Sequence, residues 1–428
     1  MKKVLIVTGS DYSPCVYEGL LKAKEMGYKL YLLSDGTFNP RLEVFEKHFQ
    51  FNLRNTLETL DYIKKQSIHF DAVTIKTSEW LTPLVALLAK HYGCKGNDPL
   101  VAFACRSKYH MRQKLAEGNV SIPKFALCRN YDELLQATKE IGMPCVAKPV
   151  GGNASYGTFL IRDKTDLDSL RSKYESAIAY LREKAVDEDV FAFRDEEMKL
   201  MGVSETVDMV TDYLVEEYME GPEISVDALV QNGKVFMLGI EDQVRMKPPY
   251  MLQTAARLPY LCSKSRGTEI YELVCRTVAA MGITDSATHT EIIFTSNGPR
   301  IVEIGCRIGG DNIHDSVFHI TGYNLMFESI MIALGEPREY EPKLHYHTFT
   351  QYVLPEKEGI VQSINIPAKV YKNSDIIEIE FPIKSGAQVA PPPKSFDFLG
   401  YISAKGKTQE KAEQTVQEAL NDITFIIS

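Results

Sequence analysis

Glu291 and Glu303 are two carboxylates whose spacing suits a metal ion. They lie in two runs rich in β-branched residues on either side of the turn signal Ser296-Asn297-Gly298, so the sequence predicts a β-hairpin. Centring the hairpin on Asn297 places Glu291 opposite Glu303. Like charges directly opposite on a sheet are destabilising, so this pairing favours a cation between them. Mg²⁺ suits such a pair because it takes carboxylates together with waters and substrate phosphates; the alternative is that both side chains face solvent.

A glycine-rich loop at residues 151–157 is the second candidate, and it follows Lys148 at the end of an apolar strand. Backbone N–H groups of such a loop can approach an anion closely because glycine has no Cβ. The Walker A pattern is missing from the sequence, and a simple turn is the alternative interpretation. The lysine directly before the loop favours a phosphate site.

The predicted secondary structure, which would position these residues, changes from one part of the chain to the next. Strands and helices alternate over the first ~95 residues, which predicts a Rossmann-like parallel sheet covered on both faces. Only Gly9 of a dinucleotide fingerprint is present, so we do not expect NAD there. The charged segment 164–212 is interpreted as a helical surface insertion. After residue 340 the pattern indicates a lobe of short strands, one of them at 369–371, with a helix at 409–420.

A second hairpin is predicted around the turn Asn232-Gly233. The predicted register pairs three apolar positions of one strand with three of the other: Val226 with Gly239, Ala228 with Met237, and Val230 with Val235. One face of this hairpin is therefore expected to be apolar and buried.

Composition excludes several classes of protein. The 428 residues are 44% apolar and 25% charged, which is ordinary for a globular chain of two to four domains. A net charge of −9 argues against nucleic acid or anionic membrane as a partner. The eight cysteines form no zinc-spaced cluster in sequence, no run approaches the roughly 18 apolar residues of a membrane span, and the N-terminal apolar run is too short for a signal sequence. We expect a cytoplasmic protein with reduced thiols.

In order and spacing, these motifs resemble the ATP-grasp superfamily along the whole chain: Lys108, Lys148 with its glycine loop, the segment 215–223, and the two metal glutamates followed by Arg307. The resemblance implies an ATP-grasp architecture of α/β and α+β class. It would have a Rossmann-like pre-ATP-grasp domain at 1–97, an ATP-grasp domain with lid and nucleotide-binding subdomains at 98–340, and a C-terminal α+β lobe at 341–428.

The resemblance also implies roles for individual residues. Those expected to bind ATP are Lys108 and Lys148 at the phosphates, Gly152, Ser155 and Gly157 in the loop over them, Glu216, Glu217 and Met219 at the adenine, and Glu223 at the ribose. Glu291 and Glu303 would be the ligands of Mg²⁺, with Mn²⁺ as an alternative ion. Arg307 would be the catalytic cation that stabilises charge on the transferring phosphoryl group or acyl-phosphate.

The segment after Glu303 is similar to the L-amino acid ligase and carboxylate-amine ligase branch. Many relatives have an asparagine where this chain has Gly305, and many dipeptide ligases have Glu and His where it has Gln253 and Ala256. Both departures bear on the number of metal ions and on the substrate. Arg245, Lys247 and Arg257 lie in this region and are either substrate-binding or surface cations. A structural hydrogen bond is the favoured interpretation for His289, and simple packing for Cys306.

The resulting prediction is an ATP- and Mg²⁺-dependent C–N ligase that releases ADP and acts on a small-molecule carboxylate and an amine through an acyl-phosphate. A homodimer is common among the relatives that the resemblance implies. Two alternatives are an ATP-grasp carboxylase or purine-pathway ligase, and a module that binds ATP without turnover.

Overall fold

A computed structural model describes residues 1–9, 12–36, 41–152, 157–187, 192–246, 252–392, 394–395 and 397–428. The N-terminal part is a four-stranded parallel sheet of order β3-β2-β1-β4. Its strands are β1 (Lys3–Val7), β2 (Lys29–Ser34), β3 (Lys47–Gln50) and β4 (Ala72–Ile75). Its helices are α1 (Pro14–Glu25), α2 (Thr56–Lys64) and α3 (Thr82–Tyr92), with short 3₁₀ turns at Leu42–Val44 and Glu79–Leu81. The predicted parallel sheet is confirmed.

Helix α1 begins where the sequence predicts. The Ser13 hydroxyl accepts from the amide of Val16, and Pro14 occupies the first turn, where its missing N–H costs no hydrogen bond. Alternate residues of β1 enter two different cores, so both faces of the sheet are covered. One of these cores includes the helix Leu325–Ala333, which comes from much later in the chain. The N-terminal sheet is therefore not covered by its own helices alone.

A second, antiparallel sheet carries Lys148 and Glu216 and has the order β5-β8-β6-β7. Its strands are β5 (Phe125–Cys128), β6 (Cys145–Pro149), β7 (Phe159–Ile161) and β8 (Tyr213–Glu217). The helices of this region are α4 (Pro99–Arg106), α5 (Lys108–Glu117), α6 (Tyr131–Ile141), α7 (Lys164–Asp168), α8 (Leu170–Asp187) and α9 (Asp195–Leu200). The charged segment 164–212 is thus helical over most of its described length.

An eight-stranded antiparallel sheet forms the centre of the molecule, with the order β13-β12-β9-β10-β11-β14-β18-β16. Its first five strands in the chain are β9 (Glu223–Gln231), β10 (Lys234–Arg245), β11 (Gln253–Leu258), β12 (Ser286–Thr295) and β13 (Gly298–Gly305). Helices α10 (Lys264–Met281), α11 (Ile313–Thr321) and α12 (Leu325–Ala333) accompany them. Three later strands, β14 (His347–Val353), β16 (Ile376–Glu380) and β18 (Gly400–Gly406), extend the same sheet.

The second predicted hairpin is correct next to its turn and wrong farther away. Val230 pairs with Val235 and Ala228 with Met237, as predicted, but a bulge before Gly239 pairs Val226 with Ile240 instead. A bulge inserts one unpaired residue and shifts every later pair. Counting from the turn cannot detect this shift.

The C-terminal region adds a three-stranded sheet of order β17-β15-β19, built from β15 (Gly359–Asn365), β17 (Gln388–Val389) and β19 (Thr424–Ile427). Helix α14 (Gln409–Asp422) packs on the central sheet through Ala412 and Val416. The strand predicted at 369–371 is wrong, because these residues form the short helix α13 (Ala368–Tyr371) after Pro367. Pro367 is the extended residue just before this helix, where its missing N–H costs no helical hydrogen bond, so the helix can begin at Ala368.

The central sheet extends across residue 340, where the sequence suggested a domain boundary, because strand β11 pairs with β14.

Within the ranges given above, every helix is too short or too polar to cross a membrane.

Candidate active site

The hairpin β12–β13 places the two metal candidates side by side, because Glu291 pairs directly with Glu303 and His289 with Gly305, as predicted. The residue pairs closer to the turn differ from the prediction, however. Next to the turn Thr295 pairs with Gly298, one residue closer than a hairpin centred on Asn297 would give. A register shift between Glu291 and Ile292 then restores the predicted pairing.

Further carboxylates lie on the same face of the central sheet. Ser225 of β9 pairs with Glu291 on one side and Glu241 on the other, and residues two apart on a strand share its face. Glu223 and Asp227 therefore lie on this face as well. We call this surface, with Glu223, Asp227, Glu241, Glu291 and Glu303, the carboxylate face.

Lys108 joins the glycine loop to the carboxylate face. It is the first residue of α5, and its Nζ lies 3.6 Å from Glu303 Oε2. The same ammonium group donates to the carbonyl of Gly152. The backbone amide of Lys108 also donates to the Val150 carbonyl at 3.1 Å. The start of the loop is thus held beside Glu303 by one cation.

Lys148 is buried in a cluster with Glu216 and Arg112. Its Nζ lies 2.6 Å from Glu216 Oε2, and Arg112 Nε lies 2.7 Å from Glu216 Oε1. Burial alone would raise the pKa of Glu216, but Arg112 and Lys148 lower it, so the carboxylate is ionised. Burial lowers the pKa of Lys148 and Glu216 opposes this effect. The Glu216 carboxylate therefore holds two cations, and the adenine contact predicted for Glu216 stays a prediction.

The two metal candidates have opposite electrostatic environments. Burial would raise the pKa of Glu303, but Lys108, Lys148 and Arg307 lower it to about 2. Burial and the neighbouring Glu303 charge raise the pKa of Glu291. The Glu291 side chain is 20% exposed and the Glu303 side chain is 26% exposed, so both can be reached from solvent. A divalent cation between them would favour the ionised form of both.

Glu223 lies beneath Arg245, with Arg245 Nη2 2.5 Å from Glu223 Oε1. Burial raises the pKa of Glu223 to about 8 in spite of Arg245, and the nearby Glu291 and Glu303 add to the rise. Arg257 lies elsewhere: it pairs with Asp242 on the opposite face of β10, 3.5 Å away, and with Glu413. Arg245 thus belongs to the site, Arg257 does not, and Lys247 lies outside the described residues.

Arg307 is fixed by a residue from the N-terminal sheet region. Its Nε and Nη2 lie 3.1 and 2.8 Å from the same oxygen, Glu79 Oε2. A Cβ built on Gly305 would lie 3.4 Å from Arg307 Cγ and 3.6 Å from Glu79 Oε2. A Cβ at position 305 would therefore make ordinary van der Waals contacts with this ion pair, so an alanine fits there.

His289 ties the hairpin to the loop that follows it. Its Nδ1 lies 3.2 Å from Asp227 Oδ1, and that oxygen also accepts from the amide of Gly309 at 3.2 Å. Burial would lower the pKa of His289, but Asp227 raises it. The favoured interpretation of a structural hydrogen bond is confirmed. Cys306, also given a packing role, is buried in an apolar core with Cys105, and all eight cysteines are free thiols.

The remaining predicted residues surround this centre. Glu217 accepts from Arg300 at 2.7 Å, and Met219 lies half-buried in the segment that connects β8 with β9. The Gly157 carbonyl accepts from the Tyr213 hydroxyl at 3.1 Å. Ser155 lies outside the described residues, between the described glycines of the loop. The structure therefore brings together Lys108, Gly152 and Glu303, while Glu217 and Met219 lie at one margin.

Four residues of the site were missed from sequence: Arg112, Asp227, Glu241 and Glu79. Arg112 is four residues after Lys108 on one helix, and Asp227 is four after Glu223 on one strand, so periodicity could have identified both. Glu79 carries no such signal, because its partner Arg307 is 228 residues away.

Two parts of the chain match families of known proteins. Residues 141–315 match the ATP-grasp domain family, and residues 351–428 match L-amino acid ligase C-terminal domain 2. The crystal structure of L-amino acid ligase from Bacillus licheniformis has a TM-score of 0.80 at 20% identity, over 100% of this chain and 99% of that one. That likeness establishes the ATP-grasp fold.

Two similar sequences are longer than the matched region. Uncharacterized protein y4rH of Sinorhizobium fredii is 22% identical over 344 residues, which are 80% of this chain and 66% of that protein. Carnosine synthase 1 of Mus musculus is 22% identical over 352 residues, 78% of this chain and 40% of that protein. The chain thus spans less than two thirds of each.

Proposed function

We propose that this chain, which carries an ATP-grasp domain followed by an L-amino acid ligase C-terminal domain, is an ATP- and Mg²⁺-dependent ligase that joins a carboxylate to an amine. The observation that carries the proposal is the pairing of Glu291 with Glu303 beside Lys108 and the start of the glycine loop. Carboxylates bind metal ions and lysines bind phosphates, so the contact between Glu303 and Lys108 favours a site for a metal–nucleotide complex.

The residues present fit Mg²⁺. Glu291 and Glu303 offer oxygen donors from adjacent strands, and both remain partly exposed. Mg²⁺ is usually held by one or two carboxylates together with waters and substrate phosphates. When bound, the ion would neutralise charge on the phosphates. Mn²⁺ takes similar ligands and is the alternative ion.

ATP would bind between the carboxylate face and the sheet that carries β6 and β8. In this proposal Lys108 and Lys148 contact its phosphates, and Glu217 and Met219 lie near its adenine. Glu223 would bind the ribose, and its pairing with Arg245 would fix the carboxylate for that contact. The loop that contains Gly152, Ser155 and Gly157 would close over the phosphates. Glu216 would act through Lys148, by holding its ammonium group in place.

The proposed chemistry has two steps. A substrate carboxylate oxygen attacks the γ-phosphorus of ATP, so ADP leaves and an acyl-phosphate forms. The amine then attacks the acyl carbon, phosphate leaves, and the amine proton passes to solvent. Arg307 would stabilise charge on the transferring group, held by Glu79. Closure of the loop would exclude water, which would otherwise hydrolyse the acyl-phosphate.

The L-amino acid ligase match at the C-terminus supports amino acids as substrates. The decisive experiment measures ADP and phosphate release with Mg·ATP across single amino acids, amino acid pairs, small carboxylates and bicarbonate. We expect turnover only when a carboxylate and an amine are both present, together with an amide product by mass spectrometry. Release that needs bicarbonate alone would indicate a carboxylase, and ATP binding without ADP under every condition would indicate a non-catalytic module.

Two variants make this experiment specific. Glu303→Gln removes a proposed metal ligand with little change in shape, and we expect it to abolish turnover. Glu341→Gln changes an exposed glutamate in the same way and should leave turnover unchanged. Full activity of Glu303→Gln would contradict the proposed metal site.

A further inference from the structure

Cys15, His314 and Asp315 form a buried cluster that the proposed ligase reaction does not use. One ligand atom from each, the thiol sulfur, an imidazole nitrogen and a carboxylate oxygen, lies within 4.8 Å of the other two. Cys15 is in the first turn of α1, whereas His314 and Asp315 are in the first turn of α11. The three side chains are 7%, 0% and 5% exposed, respectively. The cluster therefore links two distant segments of the chain inside the protein.

The imidazole of His314 has an unsatisfied nitrogen aimed at this cluster. Its Nδ1 is buried and has no hydrogen-bond partner within the described ranges, although Asp315 Oδ2 lies 3.4 Å away. A buried polar atom without a partner carries a free-energy cost. A metal ion bonded to Nδ1 would remove that cost.

The other ring nitrogen already has neighbours that fix the ring. His314 Nε2 lies 3.2 Å from Asn324 Oδ1, and the amide of Met326 donates to it at 3.3 Å. If Nε2 carries the proton, it donates to Asn324, the Met326 amide gives up its bond to Nε2, and a lone pair is left on Nδ1 for a metal ion. If Nδ1 carries the proton, its N–H has no hydrogen-bonded acceptor. A metal ion on Nδ1 satisfies the ring in the first state, and metal-bound histidine usually donates its other ring N–H to a nearby acceptor.

Asn324 also contacts the proposed thiolate ligand. Its Nδ2 donates to the Cys15 carbonyl at 2.7 Å and lies 3.8 Å from Cys15 Sγ. A Cβ on Gly19 would overlap the Asn324 side chain, so the close approach of α1 depends on that glycine. One side chain thus positions both Cys15 and His314.

The spacing and charge fit a tetrahedral transition-metal ion. Zinc–ligand bonds of 2.0–2.3 Å imply ligand atoms about 3.3–3.6 Å apart, and His314 Nδ1 and Asp315 Oδ2 are 3.4 Å apart. Burial and the neighbouring Asp315 raise the pKa of the Cys15 thiol, so a metal ion would displace the thiol proton on binding. The other charged groups near Cys15 are Glu18, Glu378 and Lys76, so the surroundings are net negative.

We propose that Cys15, His314 and Asp315 bind one Zn²⁺-type ion that fastens α1 to α11, with water or the Ser13 hydroxyl at the fourth position. A sulfur, nitrogen and oxygen donor set favours Zn²⁺ over Mg²⁺, which prefers oxygen alone. The Ser13 hydroxyl already donates to Asp315 Oδ2 at 2.8 Å, which places it beside the site. This site is independent of Glu291 and Glu303 and of the proposed ligase activity.

The test uses the full chain and Co²⁺ as a spectroscopic substitute for Zn²⁺. Metal-free protein titrated with Co²⁺ should give a near-ultraviolet thiolate-to-cobalt band that saturates at one ion per chain and is displaced by Zn²⁺. Cys15→Ser should abolish the band and weaken Zn²⁺ binding by at least about 100-fold, because even the loss of a residue that only hydrogen-bonds to a metal ligand costs about 10–100-fold. Cys262→Ser, at an exposed cysteine, and Glu303→Gln should both retain the band.

The wild-type chain alone can refute the proposal if Cys15→Ser does not fold. Absence of a thiolate band and of any Zn²⁺-induced rise in melting temperature in metal-free wild type would overturn it. Persistence of the band in folded Cys15→Ser, or its loss in Cys262→Ser, would overturn it as well. His314→Gln is the second variant, and retention of wild-type Zn²⁺ affinity there would contradict the assigned nitrogen ligand.

Discussion

The carboxylate of Glu79, from another part of the chain, holds the guanidinium group of Arg307, so the positive charge of Arg307 lies at a fixed position. Two of the three guanidinium nitrogens contact one oxygen of Glu79, and the arginine side chain is only 14% exposed. A charge that is already oriented needs no reorganisation when negative charge develops on a reacting group. At the scale of single residues, the position of a functional side chain in this site therefore depends on the partner with which it is paired.

Arg307→Ala should lower the chemical rate by roughly 10²-fold or more while leaving ATP binding nearly intact, since its charge acts on the transferring group. Single-turnover ADP formation and nucleotide titration measure the two effects separately. Glu79→Gln keeps the arginine but removes its anchor, so its rate should lie between wild type and Arg307→Ala. Unchanged turnover in Arg307→Ala would contradict the catalytic role.

Glu241 should make stability depend on pH. Burial and the nearby Asp227 raise its pKa to about 8 from its ordinary value of 4.5. Between these pH values the folded state holds a proton that the unfolded state has released, so the free energy of unfolding falls as pH rises from about 4.5 to about 8. The loss is at most about 1.4 kcal/mol per pH unit and stops above the folded pKa.

Glu241→Gln isolates this effect, because glutamine keeps the shape and cannot ionise. Denaturant unfolding from pH 5 to 9 should show the variant gaining stability relative to wild type as pH rises. Glu341→Gln, at an exposed position, should show a constant difference. A constant difference for Glu241→Gln would mean that Glu241 is already ionised near its ordinary pKa.

The loop after β13 shows how an element positions the carboxylate face. The Gly309 amide donates to Asp227, and a Cβ at Gly309 would lie 2.8 Å from Asp227 Oδ1 and 2.9 Å from His289 Nδ1. At Gly310 a Cβ would meet nothing within 4 Å. A side chain at position 309 would therefore clash with its neighbours, whereas there is room for one at position 310.

Gly309→Ala should cost about 1–3 kcal/mol of stability, the scale for overpacking a close contact, and should lower turnover by displacing Asp227. Gly310→Ala is the matched control and should change stability by less than about 0.5 kcal/mol. Urea unfolding measures both. Equal costs for the two variants would show that the close contact at Gly309 relaxes freely.

On the scale of the whole molecule, the central sheet joins the ATP-grasp domain to the C-terminal region. Strand β14 pairs with β11 on one side and β18 on the other. Asn312, at the start of α11, donates to Thr350 of β14, and Thr350 donates to Ser403 of β18. The buried contacts and hydrogen bonds across residue 340 make these parts one structural unit.

Hydrogen exchange under native conditions should therefore give similar opening free energies for amides of β11 and β14, because cooperative units span paired strands. The separate sheet of β15, β17 and β19 provides the comparison within the same chain. Lower protection throughout β14 and β18 than in β11 would indicate that the C-terminal region opens by itself.

The sequence by itself determined the local features of this protein. Ser13 and Pro14 set the start of α1, alternating strands and helices set the parallel sheet, and the turn signal set the hairpin that carries Glu291 and Glu303. These features depend on capping, periodicity and turn chemistry, which act between residues close in the chain. Motif order along the chain likewise identified the ATP-grasp fold.

Only the tertiary structure decided which distant side chains meet. Glu79 reaches Arg307, Arg112 and Lys148 enclose Glu216, and Cys15 meets His314, each across long sequence separations. Such contacts depend on how the sheets and helices pack, and a single bulge shifts the pairing that a count from the turn predicts. Local patterns carry no information about these contacts, because the energy of an ion pair or metal site depends on distance and burial rather than on spacing along the chain.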